Sequence, residues 1–378
     1  MFRKISVICF ILIILMALTV ISCSQKNKKN EYITIGALLP LTGEDSDEGL
    51  RALNGIQLAK KEINSNGGVL GKMIDIIVLN DKGDEQYVVQ QYNTLKEKGV
   101  SIIIGSSYSD PTIALVKSAD EETLIISPSA SNPDVTKGRK NVFRAIFIDD
   151  YQAEVMAYFA FASLEAKTAL VLKNANFIGY QKTADVFIEE FINYGGEIMA
   201  VENYSSENDF PRILQRYYYN KPDVIFCSES YLLASKLVNA VYNTGLRGVK
   251  ILGSDAWDGL LAYVTNPEAM KNVYYSAPFS FDDQDEKVIQ FVMNYYTAFS
   301  QIPLSGSATA YTCVYILAEA IKLAGNVNTD DLVSALKANV LNVITGHIEF
   351  DENNNPHTNV YIMQIDGGVY SSYQKLSL

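Results

Sequence analysis

The side chains that most often carry out chemistry are sparse in this sequence. The chain has 2 histidines, His347 and His357. Neither has a Cys or His partner at metal-ligand spacing. There is no Gly-x-Ser-x-Gly elbow, no phosphate-binding Gly-Lys-Ser/Thr loop and no Rossmann glycine fingerprint after the first strand-like run. Carboxylates are plentiful, but no pair is set apart as acid and base. An enzyme is therefore not expected, and no catalytic residue, metal or cofactor is nominated. What stands out instead are hydroxyls and a carboxylate in loops. Ser109 precedes Asp110-Pro111, where a helix N-terminus opens and free N–H groups favour an anion; the same serine also suits a simple cap. Ser129, in Ser127-Pro128-Ser129, has turn chemistry. Asp255, in Gly253-Ser254-Asp255, suits an N-cap for residues 256–263.

The 4 cysteines divide into two classes. Cys9 and Cys23 belong to an N-terminal stretch that reads as an export signal. Arg3 and Lys4 supply its positive start, and residues 5–21 are apolar except for Ser6 and Thr19. That run is slightly short of the ~20 residues that span a bilayer comfortably. It ends in Val20-Ile21-Ser22-Cys23, which resembles a lipobox. Residues 1–22 are therefore expected to be a lipoprotein signal peptide. Residues 23–31 would be the lipidated Cys23 and a polar tether, holding the chain at the cell envelope facing the periplasm or exterior. Several acyl chains give a stable membrane anchor where one gives only marginal binding. Cys227 and Cys313 lie in apolar runs whose spacing gives no disulfide or metal framework, so two buried free thiols are expected.

The elements that must position these loops follow a regular alternation. The 378 residues, 48% hydrophobic and 20% charged, suit two globular domains rather than a disordered chain. The net charge of −12 disfavours nucleic acid, whose binding relies on Lys and Arg. From Tyr32, short β-rich runs alternate with segments of helical period, which argues for parallel sheets with crossover helices. Strands are expected near residues 33–38, 73–79, 100–104 and 124–126, separated by helices over 47–64, 86–98 and 110–121. In the first helix Leu50, Leu53, Ile56, Ala59 and Ile63 form the apolar stripe. A second series runs from Asp149-Asp150 with helices over 151–164, 182–194, 210–219 and 232–244. Its strands are expected over 168–172, 197–201, 223–227 and 250–252. Beyond 273–277 the pattern changes to helices over 283–300, 307–323 and 330–338, then a β-like tail.

Several fragments resemble the type I periplasmic binding proteins, especially their branched-chain amino acid-binding family. They are Ile35-Gly36-Ala37-Leu38-Leu39-Pro40-Leu41-Thr42-Gly43, Asn54-Gly55-Ile56-Gln57-Leu58-Ala59, and Glu62-Ile63-Asn64 through Gly71. Asn80-Asp81, Ile103-Ile104-Gly105 and Ile126-Ser127-Pro128-Ser129-Ala130-Ser131 follow in order. The resemblance implies an α/β fold of two doubly wound lobes joined by three crossing strands. Lobe one would take residues 32–148 plus 280–345, and lobe two 149–279 plus 346–378. Ligands of open α/β sheets bind beyond the carboxyl ends of strands, which selects the loops after Leu39, Ile104, Ile126, Cys227 and Leu252.

The resemblance also implies roles. Ser109 would hold a ligand carboxylate, and Ser129 and Ser131 would contact its carboxylate and ammonium, partly through the backbone. Asp255 would take the ammonium from the second lobe by a charge-assisted bond. Phe177 falls where relatives carry a stacking Tyr, Tyr108 is expected to line the mouth, and Ser230 belongs to a cleft loop. In that loop Glu229 is expected to face solvent. The implied function is capture of a small, uncharged amino acid for an ABC permease in the membrane. A ligand sensor of the same fold, passing lobe closure to a signalling partner, is the alternative.

Overall fold

The computed structural model describes residues 32–43, 46–264, 266–366 and 368–378. The signal, Cys23 and the tether lie outside the described residues. The first body is built from β1 (Tyr32–Leu39), α1 (Ser46–Ser65), β2 (Met73–Asn80), α2 (Glu85–Glu97), β3 (Ile102–Ile104), α3 (Ser109–Ser118), β4 (Leu124–Ser127) and β5 (Val142–Arg144). Its sheet is parallel throughout, in the order β2-β1-β3-β4-β5. Period two divides β1 between two faces: Ile33, Ile35, Ala37 and Leu39 enter one core, and Leu38 enters the other. A parallel sheet covered on both faces needs such continuous apolar strands.

The second body contains α4 (Asp149–Tyr158), β6 (Thr168–Asn174), α5 (Ile178–Asn193), β7 (Glu197–Tyr204), α6 (Phe210–Gln215), β8 (Val224–Cys227), α7 (Tyr231–Thr244), β9 (Lys250–Gly253) and β10 (Val273–Ala277). The chain then returns to the first body with α8 (Glu286–Phe299), α9 (Ser305–Ala324) and α10 (Thr329–Ala338). After β11 (Leu341–Val343), β12 (Gly346–Phe350) and β13 (Pro356–His357) it crosses once more, to β14 (Val360–Asp366) and β15 (Val369–Leu376). The second sheet runs β15-β14-β10-β9-β8-β6-β7, with β14 and β15 antiparallel additions. The three crossings, after β5, after β10 and before β14, join two doubly covered sheets.

Several expectations shift in detail. Residues 346–357 were placed in the second lobe, yet β12 pairs with β11, and Ile348 and Phe350 are buried in the first body's core. The Phe350 ring stands 4.9 Å from that of Phe143. Strand β5 had no counterpart in the sequence reading, because three residues ending in Arg144 carry no strand period. The expected helix over 151–164 begins at Asp149 and passes at Phe159 into a π-helical turn, Phe159–Ser163. In α1 the stripe is displaced: Leu50 is 46% exposed, and Gly49, Ala52 and Gly55 are buried instead. Gly55 explains the shift, since a Cβ there would stand 2.0 Å from the Ser307 carbonyl of α9. Two helices in near-backbone contact bury their small residues. Cys227 and Cys313 are both buried free thiols, one in each body's core.

Candidate ligand-binding cleft

The loops at the carboxyl ends of both sheets face each other, and their polar side chains make the walls. In the first body Arg144 is wholly buried beneath the 129–132 loop. Its guanidinium donates to the carbonyls of Ala130 and Asn132, both at 2.8 Å, and to Thr136 Oγ1 at 3.1 Å. Burial pushes it down to about 10, against the opposing pull of Asp149 and Asp351. This buried cation fixes the loop by its backbone, leaving the serine side chains to point elsewhere. Ser129 Oγ donates to Glu48 Oε1 at 3.0 Å, and the Ser131 hydroxyl bonds the Asp149 carboxylate. The Asn132 N–H donates to Ser109 Oγ at 3.3 Å, tying the loop after β3 to the loop after β4.

Asp255 enters from the second body. It opens a 3-10 turn, Asp255–Trp257, and its carboxylate accepts from the Ala256 N–H. Gln152 Nε2 donates to Asp255 Oδ1 at 2.7 Å and to Asp149 Oδ1 at 2.9 Å. Gln152 Oε1 accepts from the Asp255 N–H at 2.9 Å and from Ser276 Oγ at 2.7 Å. One buried amide thus orients two carboxylates. Burial, with the charges of Asp149 and Glu48, pushes Asp255 up to about 7. Burial likewise raises Asp149, and it raises Glu48 despite the nearby Arg51. Among the described residues no group of three His, Cys, Asp or Glu is placed to hold a metal ion. Among the described residues, only Glu48 of these three acids has a cation within ion-pair distance, Arg51 at 3.9 Å.

The lips of the cleft touch. Arg51 Nη1 donates to the Asp258 carbonyl at 3.4 Å, and the guanidinium lies 5.9 Å above the Tyr231 ring. Asp258 Oδ2 accepts from the Ser305 N–H, at the start of α9, at 2.6 Å. Tyr263 OH donates to Asp47 Oδ2 at 2.8 Å.

Of the residues nominated from sequence, Ser129, Ser131 and Asp255 converge on this acidic cluster, and Ser109 stands one hydrogen bond behind it. Tyr108 occupies the N-cap position of α3, its ring close against Gly83. Ser230 caps α7, accepting from the Leu233 N–H at 3.5 Å. Phe177 is 55% exposed beside Tyr180, at the N-cap position of α5. Glu229 was expected in solvent but is 2% exposed, accepting from Asn174 Nδ2 at 2.5 Å and Tyr204 OH at 2.6 Å. Those donors lie on neighbouring strands, and the sequence gives no sign that they meet. Sequence reasoning missed Glu48, Arg51, Arg144, Asp149 and Gln152. It also passed over Ser107, whose Oγ is buried without a partner, while the Ser109 oxygen accepts from the Asn132 N–H. Only Asp149-Asp150 carried a signal, and it was read as a boundary between halves.

Residues 32–369 match the sequence profile of the family described as periplasmic binding protein. The chain belongs to that family. It is 28% identical over 316 residues to the Leu/Ile/Val-binding protein BraC3 of Rhizobium johnstonii, covering 81% of this chain and 83% of that one. The branched-chain amino acid transporter substrate binding protein LivJ of Streptococcus pneumoniae, solved in complex with isoleucine, has a TM-score of 0.84 and 26% identity. That match covers 92% of this chain and 100% of LivJ. A solute binding protein of an ABC transporter from Rhodopseudomonas palustris, in complex with 3,4-dihydroxy benzoic acid, has a TM-score of 0.81 at 24% identity. It covers 92% of this chain and 98% of its own. The last likeness concerns the fold alone. The two-lobed architecture is that of the type I periplasmic binding proteins.

Proposed function

We propose that this chain is the extracytoplasmic binding component of an ABC importer, capturing an α-amino acid between its lobes and presenting the closed form to a membrane permease. Asp255 carries the reading: a carboxylate oriented by Gln152 but given no cation, on the wall opposite Ser129 and Ser131. A ligand ammonium there makes a charge-assisted hydrogen bond in a water-poor cleft. Its carboxylate would meet the serine loop and the N-terminus of α3. Contacts made only when both walls meet shift the hinge equilibrium toward closure, by no more than the difference in affinity between the open and closed states. The likeness to Leu/Ile/Val-binding relatives supports the amino-acid class and the permease partner. The Cys23 anchor belongs to the same reading, and palmitate labelling lost in Cys23→Ala would support it.

Mass spectrometry of solute retained by the purified protein, with small-angle scattering before and after adding it, tests the proposal. An α-amino acid and a smaller radius of gyration are expected. Binding only the folded form should stabilise it by about 2.7 kcal/mol at one hundred times Kd. A retained solute with no amino group overturns the amino-acid reading.

A further inference from the structure

We infer that the turn over residues 351–355 positions the 129–132 loop for its solute, acting through the Thr136 hydroxyl and the Arg144 guanidinium. The inference rests on the reading above, in which that loop meets the solute's carboxylate, and it concerns the residues behind the loop. It starts from what an anion requires of a loop: N–H groups facing it and carbonyls turned away. Arg144 turns the carbonyls. Its Nη atoms take those of Ala130 and Asn132, both at 2.8 Å, on the buried side of the loop. The peptide between Ala130 and Ser131 is trans. Such a peptide is planar with C=O and N–H opposed, so the Ser131 N–H points away from the guanidinium.

The turn is what fixes the guanidinium. Arg144 Nε is buried without a partner, so the plane of the group is set by its Nη contacts alone. The third of these is Thr136 Oγ1, at 3.1 Å. That hydroxyl, on a residue 1% exposed, donates its own proton to Asn355 Oδ1 at 3.0 Å. A hydroxyl that accepts on one side and donates on the other makes a joint that no apolar side chain replaces. The turn beyond it is closely bonded. Asp351 accepts from the Asn353 and Asn355 N–H groups, both at 2.8 Å, and from Asn355 Nδ2 at 3.2 Å. Asn354, 1% exposed and left-handed at φ 63°, donates through Nδ2 to the carbonyls of Arg139 and Val142 at 2.7 and 2.9 Å. Two crossings meet here. Arg144 ends β5 just before the first, and the turn lies between β12 and β13, ahead of the third. Hinges absorb their rotation at such element ends. A pin at this place keeps the solute loop in register while the lobes move.

Titration calorimetry of the full, detergent-solubilised chain with L-leucine and L-isoleucine tests this, together with amide hydrogen exchange of the solute-free loop. Thr136→Val keeps the shape but breaks the joint, so binding should weaken about three- to tenfold, the usual worth of one hydrogen bond. The amides of residues 129–132 should then exchange faster. Thr136→Ser keeps the hydroxyl and loses a buried methyl, so it should melt lower than wild type yet bind within about twofold of it. Asn355→Ala should weaken binding as Thr136→Val does, and the double variant should be no worse than either. Unchanged affinity or unchanged loop exchange in Thr136→Val overturns the inference and leaves the amino-acid reading standing. So does affinity that merely follows melting temperature across the variants. Faster loop exchange in Thr136→Val, with neither amino acid bound by the wild type, would support the tie to the loop and overturn the amino-acid reading.

Discussion

Glu229 and Asp255 each stand two residues beyond the end of a strand, and the two strands, β8 and β9, are neighbours in one sheet. Their surroundings differ in kind. Glu229 receives donors from Asn174, Tyr204 and its own loop's Ser230 N–H, and is closed off from water. Asp255 receives one side-chain donor, Gln152, which it shares with Asp149, and the Ala256 N–H, while the charges of Asp149 and Glu48 act against its ionisation. A carboxylate whose lone pairs are filled by the protein has finished its work at folding. One that is oriented but left short of positive charge is held ready for something else. Position in the sheet does not separate the two; the donors supplied by neighbouring strands do.

Exchanging the charges in turn should break the comparison most sharply. Asp255→Asn keeps the shape and removes the partner of the ligand ammonium, so affinity should fall by about 2 kcal/mol or more, within the range for a broken buried charge pair. Its solute-free stability should hold or rise, because a repelled acid is gone. Glu229→Gln should show the reverse pattern. It places an amide among donors that want an acceptor, costing about 1–3 kcal/mol of unfolding free energy, while solute affinity moves less than threefold. Titration calorimetry and urea unfolding of both variants decide the matter. A large affinity loss in Glu229→Gln with none in Asp255→Asn would invert the assignment of roles.

Acidity sharpens the contrast further. Asp255 is raised from 3.8 to about 7 in the folded chain. Its contribution to solute-free stability is therefore full below its unfolded value and is lost as pH rises through 7. Binding needs the ionised form, so affinity should weaken below pH 7, at most about tenfold per unit for one proton. The difference between wild type and Asp255→Asn, measured from pH 5 to pH 8, isolates this group from the other acids. A wild-type profile as flat as that of the variant would show that the proton is not coupled to binding.

Much of the frame was legible in the sequence, for a plain reason. Continuous apolar runs such as Ile33–Leu39 and Ile102–Ile104 are buried on both faces, and glycines such as Gly67-Gly68 and Gly245 close the helices between them. Local chemistry decides such elements. Ser129, Ser131 and Asp255 were legible because they follow strands directly. The polar wall was not. Glu48 and Arg51 sit on a helix turn whose exposed residues look alike in sequence, and Gln152 matters only because α4 carries it to Asp255 across 103 residues of chain. Ser107 is fully buried without a partner, whereas Ser109 is partly exposed and accepts from the Asn132 N–H, a difference no spacing reveals.

That last pair gives a smaller prediction. Ser107→Ala removes a buried hydroxyl that has no partner in the protein, so stability should hold while affinity drops by about 1 kcal/mol, the usual net worth of one hydrogen bond. Ser109→Ala removes an acceptor from the Asn132 N–H and should lower stability more than it lowers affinity. Thermal melts with and without solute separate the two. Equal affinity losses would mean that both hydroxyls reach the solute.

The smallest effect lies at the lips. Tyr263 OH reaches Asp47 across the cleft mouth at 2.8 Å, in an exposed setting, the residue being 37% exposed. Exposed polar contacts of this kind are worth about 0.2–1 kcal/mol. This one exists only while the lips meet, and it touches none of the acids assigned to the solute. Tyr263→Phe should therefore raise the dissociation rate by roughly two- to fivefold and leave the association rate unchanged, as contacts formed after encounter do. Asp47→Asn should do the same, and the double variant should be no worse than either single one if the two residues act on each other. Stopped-flow release of the bound solute reads all three. Additive losses would mean that Asp47 and Tyr263 hold the lips through separate partners, and the closing force would then rest with Arg51 and Ser305 on Asp258. Unchanged release in all three would place the whole of closure on the Gln152–Asp255 wall.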